Sequence, residues 1–255
     1  RVFWEAHMGH LNMIVQRIII KQIPIIAITH GLEQLYRSRG ARSILVAPDG
    51  VDVEMFNVSV PKDELRKKLG FMLDKKIILY SGHLYAWKGA DVLAQAAQKL
   101  GDAADVVYVG GTDEDIERFK KTYGGIAQIR ILGRKPHREI PLYLAAADIL
   151  VLPNSGMEDI SRLYTSPLKL FEYMASGTPI VSSDLPSLRE VLNENNAVFF
   201  RADDPMSLAG AVMALLADPE KQQRLSRQQR FDMMQYSWDA RAKRIISFLH
   251  HHEKS

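Results

Sequence analysis

The stretch KIILYSGHLYAWKGADVLAQAAQKLGDAADVVYV, residues 76–109, decides the fold. It opens on a short β-branched run, Lys76–Tyr80, passes through a loop that contains glycine, and closes on a second such run, Asp105–Val109. Between them, Gly89–Leu100 sets Val92, Leu93, Ala96, Ala97 and Leu100 on one helical face. Strand, loop, helix, strand is the unit of a parallel sheet, because neighbouring parallel strands need a crossover long enough to hold a helix. Further runs follow at Gln128–Leu132, Asp148–Leu152, Pro179–Ser182 and Ala197–Phe200, with helical patterns at Ile140–Ala147, Leu168–Ala175 and Ser207–Leu216. The alternation predicts an α/β domain, a doubly wound parallel sheet with helices on both faces.

Outward from this repeat, the first residues read as a smaller piece of the same kind. Val2–His7, Ile25–Thr29 and Ile44–Ala47 have strand character, with a helix near Leu11–Ile20 and a short one ending at Arg39. So small a sheet cannot bury both its faces alone. Residues 1–47 are therefore expected to be the tail end of an incomplete N-terminal domain. Pro48-Asp49-Gly50-Val51-Asp52 is turn-rich and reads as a linker. Residues 48–235 then form one complete domain. From Pro219 onward no strand signal appears, and two helices broken near Tyr236–Trp238 are expected.

Composition narrows the function classes. The 255 residues are 47% hydrophobic and 25% charged, which excludes a disordered or collagenous chain. No apolar run approaches the roughly 18 to 20 residues that span a bilayer. With 33 Lys and Arg against 30 Asp and Glu, the net charge of +3 gives no reason to expect a nucleic-acid partner. Cysteine is absent, which excludes disulfides, thiol nucleophiles and zinc fingers and fits a reducing cytosol. No G-x-G-x-x-G, P-loop, H-E-x-x-H or G-x-S-x-G occurs in its required context, so dehydrogenase, ATPase, metallohydrolase and serine hydrolase readings all recede.

Ligands of open parallel sheets sit beyond the carboxyl ends of the strands. After Tyr80, the loop Ser81–Gly89 offers Gly82 for close backbone approach and His83 and Lys88 as donors to an anion. After Leu152, a long loop Pro153–Thr165 leads to Ser166-Pro167-Leu168, where Ser166 reads as a helix cap and Pro167 as the first helical residue. The free N–H groups at such a helix start suit a phosphate. Glu172, further along that helix, reads as a solvated face residue or as an acceptor for a vicinal diol such as a ribose.

SPLKLFEYMASGTPIVSSDLPSLREVL, residues 166–192, closely resembles the nucleotide-sugar site of family 4 retaining glycosyltransferases, which have the GT-B fold. SGHLYAWKGADVLAQA resembles their phosphate loop, APDGVDVEMF their interdomain linker, and LGRKPHREIPLYLAAADILVLPN the segment that holds the base. Phe3–His7 resembles the late N-terminal strand that ends in a His reaching the donor sugar.

The resemblance implies a GT-B type, Rossmann-like architecture and transfer of a sugar from a nucleoside-diphosphate sugar to a glycan or lipid-linked acceptor. Lys88, Glu172 and His7 become the catalytic candidates. Gly82, His83, Lys88, Ser166 and Leu168 would hold the diphosphate, and Glu172 the ribose. Arg134 and Lys135 would lie at the base, and Tyr164, Thr165 and Ser166 at the donor sugar. Two positions depart from the family: His83 stands where Arg is usual, and Tyr164 replaces the first Glu of the Glu–seven residues–Glu signature. No cofactor and no metal are expected, and residues 236–255 should pack back on the N-terminal domain. The expected location is the cytoplasm, with peripheral membrane association of the full-length protein left open. The alternative is a truncated, catalytically inactive fragment that binds nucleotide sugar.

Overall fold

The computed structural model describes residues 2–7, 20–102 and 104–252, so the expected helix near Leu11–Ile20 lies, apart from Ile20, outside the described residues. All nine predicted strands form. β1 (Trp4–Ala6), β2 (Ile25–Ala27) and β3 (Ile44–Val46) make a small parallel sheet in that order. β4 (Lys76–Ser81), β5 (Ala104–Val109), β6 (Ile129–Gly133), β7 (Ile149–Leu152), β8 (Ile180–Ser183) and β9 (Val198–Phe200) make a second. Its spatial order is β6-β5-β4-β7-β8-β9, parallel throughout. The order reverses between β4 and β7, and a crevice must open there because the flanking crossovers leave toward opposite faces.

Period-two alternation divides the large sheet's side chains between two cores. Ile77, Leu79, Val107, Val109, Leu150 and Leu152 face the Ile140–Ala146 and Leu168–Ser176 helices, where Leu144, Phe171 and Met174 are buried. Ile78, Tyr80, Val106, Tyr108, Ile149 and Val151 face the Ala90–Leu100 and Pro205–Leu216 helices, where Leu93, Ala97, Leu208 and Val212 are buried. Each fully buried large side chain contributes roughly 1.5–3 kcal/mol. The small sheet has its own core of Ala6, Ile25, Ala27, Leu32 and Tyr36, with Trp4 edge-on to Tyr36.

The linker and the last helices cross. Val51 pairs with Ser237 at the break between the Pro219–Met233 and Trp238–His252 helices. A Cβ on Gly50 would stand 2.9 Å from the Tyr236 carbonyl, so the crossing leaves no room for a side chain there. From the last helix, Arg241 donates to the Ala47 and Pro48 carbonyls and pairs with Glu5 of β1. Among the described residues, no helix is long and apolar enough to cross a membrane.

Candidate functional site

The loops after β4, β5 and β7 are joined by backbone contacts that admit no side chain. A Cβ on Gly110 would lie 2.5 Å from the Gly82 carbonyl oxygen, and one on Gly89 would lie 1.7 Å from that of Pro153. Both glycines have positive φ, so two geometric demands coincide at each. The Trp87 carbonyl accepts from the Ser155 N–H and the Ser161 hydroxyl, tying the β4 loop to the β7 loop. The Tyr80 hydroxyl donates to the His83 carbonyl, while the His83 ring stacks flat on Tyr85. Lys88 places its ammonium 3.9 Å from the Trp87 ring centre, and burial pushes its pKa down to about 8.

The loop after β7 is not wholly irregular. Ile160–Tyr164 winds into one turn of π-helix whose last residue, Tyr164, packs against the small sheet's core. Ser166 does not cap the next helix, contrary to the sequence expectation. The helix starts at Leu168, with Pro167 in extended geometry as the boundary residue and no side-chain cap. The Ser166 hydroxyl instead accepts the Asp49 N–H from the linker, 3.1 Å away. The first helical N–H groups, of Leu168 and Lys169, have no intrahelical acceptor by geometry and face no capping oxygen.

Glu172 lies one turn deeper, its side chain 15% exposed, with one carboxylate oxygen 2.9 Å from the His137 Nε2. Beside it, Lys169 is only 7% exposed, and its amine has no hydrogen-bond partner among the described residues. That amine sits 4.0 Å from the centre of the Tyr80 ring. Burial first, and then the charge of Lys88, hold its pKa well below the ordinary lysine range, with Glu172 opposing.

These residues line one cleft of about 910 Å³. Gly82, His83, Lys88, Arg134, Lys135, Tyr164, Thr165, Ser166, Leu168 and Glu172, drawn from loops and a helix start of the large sheet, all reach it. His7, Ile28 and Asp49 supply the facing wall from the small sheet and the linker. His7 lies 3.2 Å from Glu5. Burial raises the Asp49 pKa against the opposing pull of His7 and Arg241. Every site residue picked from the sequence thus opens onto the same space. Sequence reasoning missed Lys169, His137 and Asp49: a lysine inside an apolar helix string and polar residues beside prolines carry no signal until the fold surrounds them.

The profile described as "Glycosyl transferases group 1" matches residues 61–232, which include the loops of β4, β6 and β7 and the Leu168 helix. The chain belongs to this family. It is similar to a D-inositol 3-phosphate glycosyltransferase of Xylanimonas cellulosilytica, 31% identical over 84% of this chain and 53% of that protein. It is also similar to a phosphatidyl-myo-inositol mannosyltransferase of Mycobacterium leprae, 30% identical over 78% of this chain and 51% of that one. The chain spans about half the length of the curated relatives it matches. Among solved structures, Anabaena HepE in complex with UDP superposes with a TM-score of 0.82 at 17% identity, over 97% of this chain and 71% of that one. The architecture is of GT-B type, as the family resemblance implied.

Proposed function

We propose that this group 1 member is a retaining glycosyltransferase of family 4. It transfers a sugar from a nucleoside-diphosphate sugar to a glycan or lipid-linked acceptor, in the synthesis of a cell-surface polysaccharide or glycolipid. One observation carries the reading. Lys88 from the loop after β4, the uncapped start at Leu168 with Glu172 from one helix, and His7 from the small sheet converge on one cleft at the reversal of strand order.

In this reading Lys88 and the N–H groups at Leu168 neutralise the diphosphate, with His83 beside them. Glu172, steadied by His137, takes the ribose hydroxyls. Arg134 and Lys135 flank the base, and Tyr164, Thr165, Ser166 and His7 surround the donor sugar. The bond from the anomeric carbon to the diphosphate oxygen breaks, and the acceptor oxygen bonds to that carbon on the same face. The acceptor's proton passes to the departing phosphate oxygen. Protein cations carry the developing charge in place of a metal ion. The relatives' names, which contain inositol phosphate and phosphatidylinositol, support a phosphorylated or lipid-linked acceptor. A lipid-linked acceptor would be met at a membrane surface, a phosphorylated inositol in solution.

The test is thermal unfolding with UDP, GDP or ADP. At a hundredfold excess over Kd, one of them should raise Tm by about 5 to 10 °C. Glu172→Ala should remove most of the shift. Silence from all three nucleotides would refute the reading.

A further inference from the structure

The cleft contains a cation that the proposed roles leave unused. Buried polar groups are almost always partnered, and an ammonium has three hydrogens to donate. Lys169 donates none of them to a described residue. Its side chain is over nine-tenths buried, yet it lines the cleft. The Tyr80 ring beneath it offers a π face, which offsets only part of the cost of burying a charge.

Three further facts fix what the amine awaits. A Cβ on Gly82 would lie 3.8 Å from the Lys169 Nζ, so the backbone of the loop after β4 borders the amine directly. The N–H groups of Leu168 and Lys169 itself lie uncapped at the same helix start. Lys88 lines the same cleft, and its charge adds to burial in lowering the Lys169 pKa. A single carboxylate on a ligand would match one such cation. Two ammonium groups and a helix start call for an anion with at least two charges and several oxygens.

We propose that Lys169 is the second cation of the diphosphate site, contacting the donor's phosphate oxygens from the floor of the cleft. Rising from the Leu168 helix, it adds a second amine to that of Lys88 from the loop after β4. This rests on the reading of the cleft as a nucleoside-diphosphate sugar site. It also accounts for a lysine where packing alone would be served by methionine.

The experiment compares each of UDP, GDP and ADP with its monophosphate by calorimetric titration of the wild type and of Lys169→Met. The wild type should prefer the diphosphate of one base. Lys169→Met should lose about tenfold to a hundredfold of diphosphate affinity, the worth of one or two charge-assisted hydrogen bonds, while monophosphate affinity holds. The same variant, free of ligand, should melt at a higher temperature than the wild type, because an unpaired buried amine has been replaced by an apolar chain of similar length. Should Lys169→Met not fold, Lys169→Gln carries the affinity arm. An unchanged preference for diphosphate over monophosphate would overturn the proposal and leave the cleft reading standing. Failure of the wild type to bind any of the six nucleotides would overturn both.

Discussion

The two ends of the six-stranded sheet treat their most buried cations, Arg66 and Lys169, in opposite ways. At the amino ends of its strands, Asp148 accepts from Arg66 and from the Ile77 N–H, with Lys62 3.6 Å away. Asp105 lies beside Lys75 at 3.1 Å and Arg130 at 3.6 Å. At the carboxyl ends, Lys169 is buried and Lys88 half-buried, with no carboxylate bonded to either among the described residues. Charges paired within the protein stabilise the fold. Charges left without a protein partner raise its cost and gain their return only when an anion arrives. The contrast separates scaffold from site without reference to any relative.

Breaking the paired end should produce the largest effect. Arg66, its side chain 5% exposed, also donates to the Ala146 carbonyl. Arg66→Met leaves the buried Asp148 with the Ile77 N–H and the more distant Lys62 alone, and should cost about 3 kcal/mol in urea unfolding. Nucleotide affinity of the folded fraction should not change, and a selective loss of binding would erase the distinction. Lys88→Met should invert that pattern. Diphosphate affinity should fall by about tenfold to a hundredfold with Tm unchanged or raised, because burial alone displaces the lysine's pKa. A large drop in Tm would mean that Lys88 belongs to the scaffold.

The smallest effect is a pH dependence. Lys88 binds an anion as the ammonium, and its ligand-free pKa is about 8. Affinity should therefore be full below that value and fall as pH rises through it, by about tenfold per unit once the amine is neutral in the free protein. The inflection should vanish in Lys88→Met. A flat profile in the wild type from pH 7 to 9 would count against a titrating lysine at the diphosphate.

Legibility followed the same division. The strands were legible because short β-branched runs recur between loops and helical patterns, and the apolar helices because their periodicity is strong. Asp113–Tyr123 and Lys62–Leu69 are polar helices whose few buried apolar residues, Ile116 and Phe119 in one and Leu65 in the other, give only a weak period. The start of the site helix was misread by one residue. Ser-Pro is a common entry to a helix, but the Ser166 hydroxyl is engaged by Asp49, 117 positions away, and no local rule reports that. Lys169 was hidden for a related reason. Its burial depends on the Tyr80 ring and on the turn at Gly82, both contributed by another strand.

The His30–Ser38 helix of the small sheet has Glu190, from beyond β8 of the large one, at its start. The His30 N–H reaches both carboxylate oxygens at 2.9 Å, and burial raises the pKa of that acid. Thr29 caps the same helix from within, through the Leu32 N–H. One terminus thus answers to two masters, one local and one across the cleft. Any swing that widens the gap between the sheets breaks the second bond and spares the first. Exchange of the His30 amide hydrogen would therefore report the free energy of opening between the two sheets.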